Sequence, residues 1–132
     1  MDRKLKHLEF IQGVINRLST NSFLLKGWSV VLVSGLFALS AHDSGPKFVM
    51  IAYFPAFIFW GLDGFFLWQE RLYRGLYDGV RAKDPGDVDF SMDTSDVSNH
   101  VKGWADATIS KTLVPFHGAL IVAILIVMFV QM

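Results

Sequence analysis

The sequence predicts an all-α integral membrane protein: three transmembrane helices, an N-terminal amphipathic helix and a short cytoplasmic amphipathic helix. Three observations lead there. Hydrophobic residues make up 52% of only 132 residues, more apolar surface than so small a soluble domain can cover with its polar remainder. Three runs reach the about 20 mostly apolar residues that cross a hydrocarbon core, and backbone in lipid must be helical to satisfy its own amides. Lys and Arg are also unevenly placed around those runs. The length allows one domain, and no segment repeats internally.

Residues 1–20 form the first element. Leu5, Leu8, Ile11, Val14, Ile15 and Leu18 recur at helical spacing, with Arg3, Lys4, Lys6 and Arg17 off that stripe. Such a helix lies in the membrane interface or packs on a neighbouring subunit. In "STNS", Asn21 or Ser22 offers a cap for a new helix. The first span, 22–41, contains one charge, Lys26. It fits a cleaved leader poorly, because the polar stretch before it is long and Leu39 stands where a small residue is wanted. In "HDSGPK", Ser44 and Pro46 end one helix and start the next.

The second span, 47–69, holds Asp63 in its interior, and Pro55 removes a backbone donor and is expected to kink the helix. The helix continues to about residue 83, where "KDPGD" stops it. On that extension Glu70, Arg74 and Asp78 are spaced as a ladder of opposite charges, and Arg71, Arg74 and Arg81 can reach lipid phosphates or a partner. Residues 84–111 read as a solvated acidic loop followed by an amphipathic helix. Asp84, Asp87, Asp89, Asp93 and Asp96 come first, then a stripe of Val97, Val101, Trp104, Ala105 and Ile109, with Trp104 at headgroup level. The third span, 112–132, is uncharged unless His117 is protonated.

Charge sets the threading. Arg3, Lys4, Lys6 and Arg17 precede the first span; Arg71, Arg74, Arg81, Lys83, Lys102 and Lys111 lie between the second and third. The first link carries only Lys47 as a cation, and nothing charged follows the third span. The N-terminus and the 70–111 segment are therefore expected in the cytoplasm, and the C-terminus outside.

Apart from Lys47 at the outer boundary of the second span, the acidic and basic groups inside the spans are Lys26, Asp63 and His117, all in the cytoplasmic third. Asp63 lies about 10 Å below Glu70 at the helical rise. A carboxylate at that depth costs about 2–3 kcal/mol on insertion scales, so it should face protein. Three readings are open: an ion pair with Lys26; a wet ion or proton path lined by Asp63 and His117; and a protonated Asp63 in a polar helix contact. Ser29 and Trp28 are further candidate partners if Lys26 turns to the headgroups. Small residues mark faces for helix packing or oligomerisation: Gly61 and Gly64 beside Asp63, Ser34 and Ala38 on the first span, Ala119 and Ala123 on the third.

Other chemistry is absent from the pattern. Without cysteine there is no disulfide or thiolate site, and His7, His42 and His100 have no ligand spacing, so neither a metal nor a cofactor is expected. "DVDFSMDTSD" lacks the Gly and Glu of a calcium loop. Twelve basic residues balance twelve acidic ones, which argues against nucleic acid as partner. No catalytic constellation appears, so no enzyme is expected.

"LEFIQGVINRLSTNSFLLKGWSVVLVSGLFALSA", "FPAFIFWGLDGFFLWQERLYRGLYDGV" and "SKTLVPFHGAL" resemble a set of small bacterial multi-pass membrane proteins, themselves similar to the membrane-acting components of antiphage defence loci. The resemblance carries over no catalytic residue. It implies an oligomeric effector of the inner membrane, channel-like, that alters permeability under control of a soluble partner or signalling ligand. The alternative is a non-conducting anchor that recruits a cytoplasmic partner through residues 70–111.

Overall fold

A computed structural model describes residues 2–43 and 47–131. The chain is all-α over those residues: α1 (Asp2–Asp43), α2 (Lys47–Arg81), α3 (Trp104–Thr108) and α4 (Val114–Gln131). Two 3-10 turns, Pro85–Asp87 and Ser98–His100, punctuate the segment between α2 and α3. The expected turn at Ser44 and Pro46 lies outside the described residues, as does Met132.

The boundary expected at Asn21 or Ser22 does not form. α1 runs unbroken for 42 residues, roughly 63 Å at the helical rise. No proline interrupts it, and the Ser22 hydroxyl, instead of capping a helix start, reaches across to Asp63. α2 continues through Pro55 for 35 residues and ends at Arg81, two residues before the expected stop at Lys83. α1 and α2 pack antiparallel along their length, since Ser19 meets Glu70, Ser22 meets Asp63 and Val33 packs with Val49, Ala52 and Ala56.

Two apolar cores form along this hairpin. One joins Val33, Val49, Ala52 and Ala56 to Ile124 of α4, with Leu36, Tyr53 and Leu120 against it. The other joins Ile11 and Ile15 to Val80, under Tyr73, Tyr77 and Met92. Asp63 falls between them along α2. Outward faces stay apolar: Phe23, Phe54 and Phe129 are 75%, 73% and 67% exposed. Two helices, α1 and α2, are long and apolar enough to cross a membrane; the apolar stretch of α4, Val114–Val130, is shorter.

The segment after α2 departs from expectation twice. The acidic loop is pinned to the start of α1 and not simply solvated. His7 is fully buried with Nε2 2.8 Å from the Ser91 carbonyl, Arg3 donates to the Val88 carbonyl at 3.4 Å, and Val88 is buried. Phe90 adopts φ 58°, the left-handed region, which brings its ring to 5.4 Å from that of His7. The amphipathic helix expected over 97–109 shrinks to a 3-10 turn and the five residues of α3, because Gly103 is extended and separates them. Ile109, of the expected amphipathic stripe, is 71% exposed, and Ala107, outside that stripe, is fully buried.

Local turns shape the loop's acids. The Ser91 N–H donates to Asp89 at 3.0 Å, and the hydroxyl and N–H of Ser95 both donate to Asp93, the latter at 2.9 Å. These bonds hold both carboxyls below the ordinary carboxylate range: for Asp89 chiefly the backbone N–H of Ser91, for Asp93 the hydroxyl and then the N–H of Ser95. A depressed folded-state pKa stabilises the turn above the unfolded value of about 3.9, and that contribution fades as pH falls through the folded value. In a carboxyl-carbon NMR titration, Asp89 and Asp93 should titrate below about 3.9. Midpoints at or above that value would contradict the turn geometry.

Candidate functional site

The site grows from one side chain. α2 buries Asp63 completely. α1 presents Ser22 and Lys26, four residues apart and therefore on one face, and α4 presents His117 near its start. Lys26 Nζ lies 2.6 Å and His117 Nε2 2.7 Å from Asp63 Oδ2. The Ser22 hydroxyl donates to Oδ1 and accepts a bond from Lys26 Nζ at 2.8 Å. Both carboxylate oxygens are thus occupied by donors from two other helices, the condition under which burying a charge is tolerable. An ionised carboxylate only accepts, so Nε2 of His117 is the donor; its Nδ1 is buried without a hydrogen-bond partner.

Aromatic rings extend the cluster toward α3. Trp60 stacks on the His117 ring, centroids 5.7 Å apart and planes 8° from parallel. Its indole N–H donates to the Thr108 carbonyl at 2.7 Å. In return, the Trp104 indole N–H donates to the Gly61 carbonyl at 2.8 Å. These reciprocal bonds hold α3 across α2 at the level of Asp63. Gly64 makes the approach possible: a Cβ there would stand 2.1 Å from Thr108 Oγ1 and 3.1 Å from Thr108 Cα. Arg71 completes the attachment with a 3.1 Å ion pair to Asp106.

The structure thus brings Lys26, Asp63 and His117 together. Ser29 and Trp28 do not join them: the Ser29 hydroxyl is buried without a hydrogen-bond partner and Trp28 is 61% exposed. Gly61 and Gly64 pack against α3 of the same chain, where the sequence reading expected helix packing or a second copy. Ser34, Ala38 and Ala119 lie exposed and Ala123 is half-buried. Trp104, expected at the headgroups, spends its polar edge on Gly61 while 47% of the residue stays exposed. Of the cations expected at phosphates, Arg74 pairs with Glu70 at 3.4 Å and Arg81 with Asp78 at 3.5 Å. Asp78, the last member of the expected ladder, therefore pairs with Arg81 and not with Arg74.

Sequence reasoning missed Ser22, Trp60, Thr108 and Asp106. Ser22 had a signal, because it precedes Lys26 by one helical turn. Trp60 likewise precedes Asp63 by three residues on the same face. Nothing local marks Thr108, which enters only through the fold-back of α3. Among the described residues, no group of three His, Cys, Asp or Glu is placed to hold a metal. What the arrangement offers is a buried charge network that ties three helices and α3 to one point. No family model, curated protein or solved structure matches the chain.

Two outcomes follow. Gly64→Ala should lower stability by about 1–3 kcal/mol through overpacking against Thr108, while Gly27→Ala, with open space around it, should be neutral or stabilise by up to about 1 kcal/mol. Thermal unfolding in detergent reads both, and equal behaviour would remove the close contact of α3. For the ion pair, Asp63→Ala should destabilise by about 3–5 kcal/mol by stranding its buried partners. A double-mutant cycle with Lys26→Ala should give a coupling of about 0.5 kcal/mol or more, and a coupling near zero would mean that the two charges do not meet.

Proposed function

We propose that the chain spans a bacterial inner membrane three times, with its N-terminus and residues 70–111 in the cytoplasm, and acts as an oligomeric effector that alters permeability. α4, with 18 residues, is at the short end of what spans a bilayer, about 17–25 residues. The apolar outward faces of α1, α2 and α4 support a lipid surround, and the sparing use of Lys and Arg at the opposite ends supports the orientation. The exposed Ser34, Ala38 and Ala119 give small-residue faces on which copies can pack.

The single observation that carries the reading is the attachment of α3 to the residues around Asp63. A soluble partner or signal that pulls on residues 70–111 acts directly on Trp60 and Trp104, hence on His117 and Asp63. Freeing Asp63 from His117 exposes a charged path in the inner half of the membrane. Control of such a protein by a soluble sensor fits antiphage defence, the setting to which the sequence resemblance points.

One observation favours a second reading. Asp63 already holds three donors, as suits a static lock, and the chain is then a non-conducting anchor that recruits its partner through residues 70–111. Trp104→Ala, which releases one indole bond, separates the two. As an effector it should depolarise expressing cells and leak dye from liposomes more than wild type does, and adding Asp63→Ala should reverse the effect. If Trp104→Ala and wild type are equally silent, the effector reading fails. The cysteine-free chain also suits single-cysteine labelling: Arg74→Cys should react from the cytoplasm and Lys47→Cys from outside, and reaction from one side would refute the threading.

A further inference from the structure

We infer that Arg71, His100 and Lys102 form a binding site for the phosphate of an anionic phospholipid headgroup. This rests on the three-span reading with residues 70–111 on the cytoplasmic face. The three residues, with Val101 and Asp106, line a concave site of about 380 Å³ between α2 and the turn preceding α3. The site draws its cations from two chain segments, so it exists only because α3 folds back.

Its electrostatics favour an anion. Asp106 takes one nitrogen of Arg71 at 3.1 Å and stands 4.0 Å from Lys102. That contact orients the guanidinium, whose remaining N–H donors form the fork that matches phosphate oxygens. Two permanent cations against one carboxylate leave the lining positive, and His100 adds a ring N–H. The other arginines of the region are spent differently: Arg74 and Arg81 pair with carboxylates of their own helix.

Its level on the fold favours a lipid. Arg71 stands eight residues beyond Asp63 on α2, about 12 Å along the axis, where the apolar run gives way to "QERLYR". Just below it, at the two ends of α3, Trp104 and Ile109 are 47% and 71% exposed. An apolar shoulder under a cationic cup is the arrangement that receives acyl chains below and a headgroup above.

The test uses the full-length protein in neutral detergent, with phosphatidylglycerol or phosphatidylcholine added and bound lipid counted by native mass spectrometry. Wild type should retain phosphatidylglycerol about tenfold over phosphatidylcholine. Lys102→Gln, at a side chain 79% exposed, should lower that retention about fivefold without disturbing the fold, and Arg71→Gln/Lys102→Gln should abolish the preference. Arg74→Gln should leave it unchanged. Equal retention of the two lipids, no effect of Lys102→Gln, or an equal loss with Arg74→Gln would overturn the site. Millimolar inorganic phosphate should not displace the lipid; full displacement would overturn the lipid in favour of a soluble phosphate. Binding is read without any leakage measurement. Selective binding beside silent leakage removes only the proposed effector activity, and lost selectivity beside intact leakage removes only this site.

Discussion

A fully buried carboxylate sets the terms for this fold. Asp63 is tolerable inside an apolar hairpin only while donors surround it, and the donors come from elements far apart in sequence: Ser22 and Lys26 on α1, His117 on α4. Meeting that condition fixes the register of α1 against α2, since sliding by one turn would move Lys26 about 5.4 Å from its partner. It also fixes where α4 must start, because His117 lies in its first turn. Apolar packing alone would not be so exacting: Val33, Ala52 and Ile124 can repack against similar neighbours, whereas one misplaced donor strands a charge.

The same constraint explains the short α3. An element of five residues has little helical stability of its own. It is held by what it meets on α2: two indole bonds, the Arg71–Asp106 pair and a close approach at Gly64. The bond from Trp60 matters twice, because the ring that donates to Thr108 also stacks on His117. Any displacement of Thr108 is therefore felt by the imidazole that serves Asp63, one contact away.

How much of this was legible in the residues depends on whether the signal was local. The long apolar helices, the stop after Arg81 and the grouping of Lys26, Asp63 and His117 at one level follow from hydropathy, a proline and the helical rise. The continuity of α1 did not follow, because "STNS" is as good a cap as it is a polar stripe, and only Asp63 on another helix decides between them. The docking of the acidic loop on His7 was hidden for a similar reason. A lone histidine in a basic, amphipathic stretch gives no sign that a carbonyl eighty-four residues away will meet it. α3 was overestimated, since a helical stripe from Val97 to Ile109 ignores what Gly103 does to the backbone.

Along α2 the order is apolar core, polar cluster, apolar core. Among the described residues none belongs to both cores, so the polar middle is packed separately from either end. A network of charges and stacked rings also has discrete arrangements, donor engaged or donor withdrawn, where a packed aliphatic core would only deform. Placing the attachment of the segment between α2 and α4 at that middle level, rather than at either core, gives a small push its greatest effect on the buried charge. This is the physical reason to look for function at Asp63 and at the α3 that covers it, and to regard the flanking cores as the frame that holds both in place.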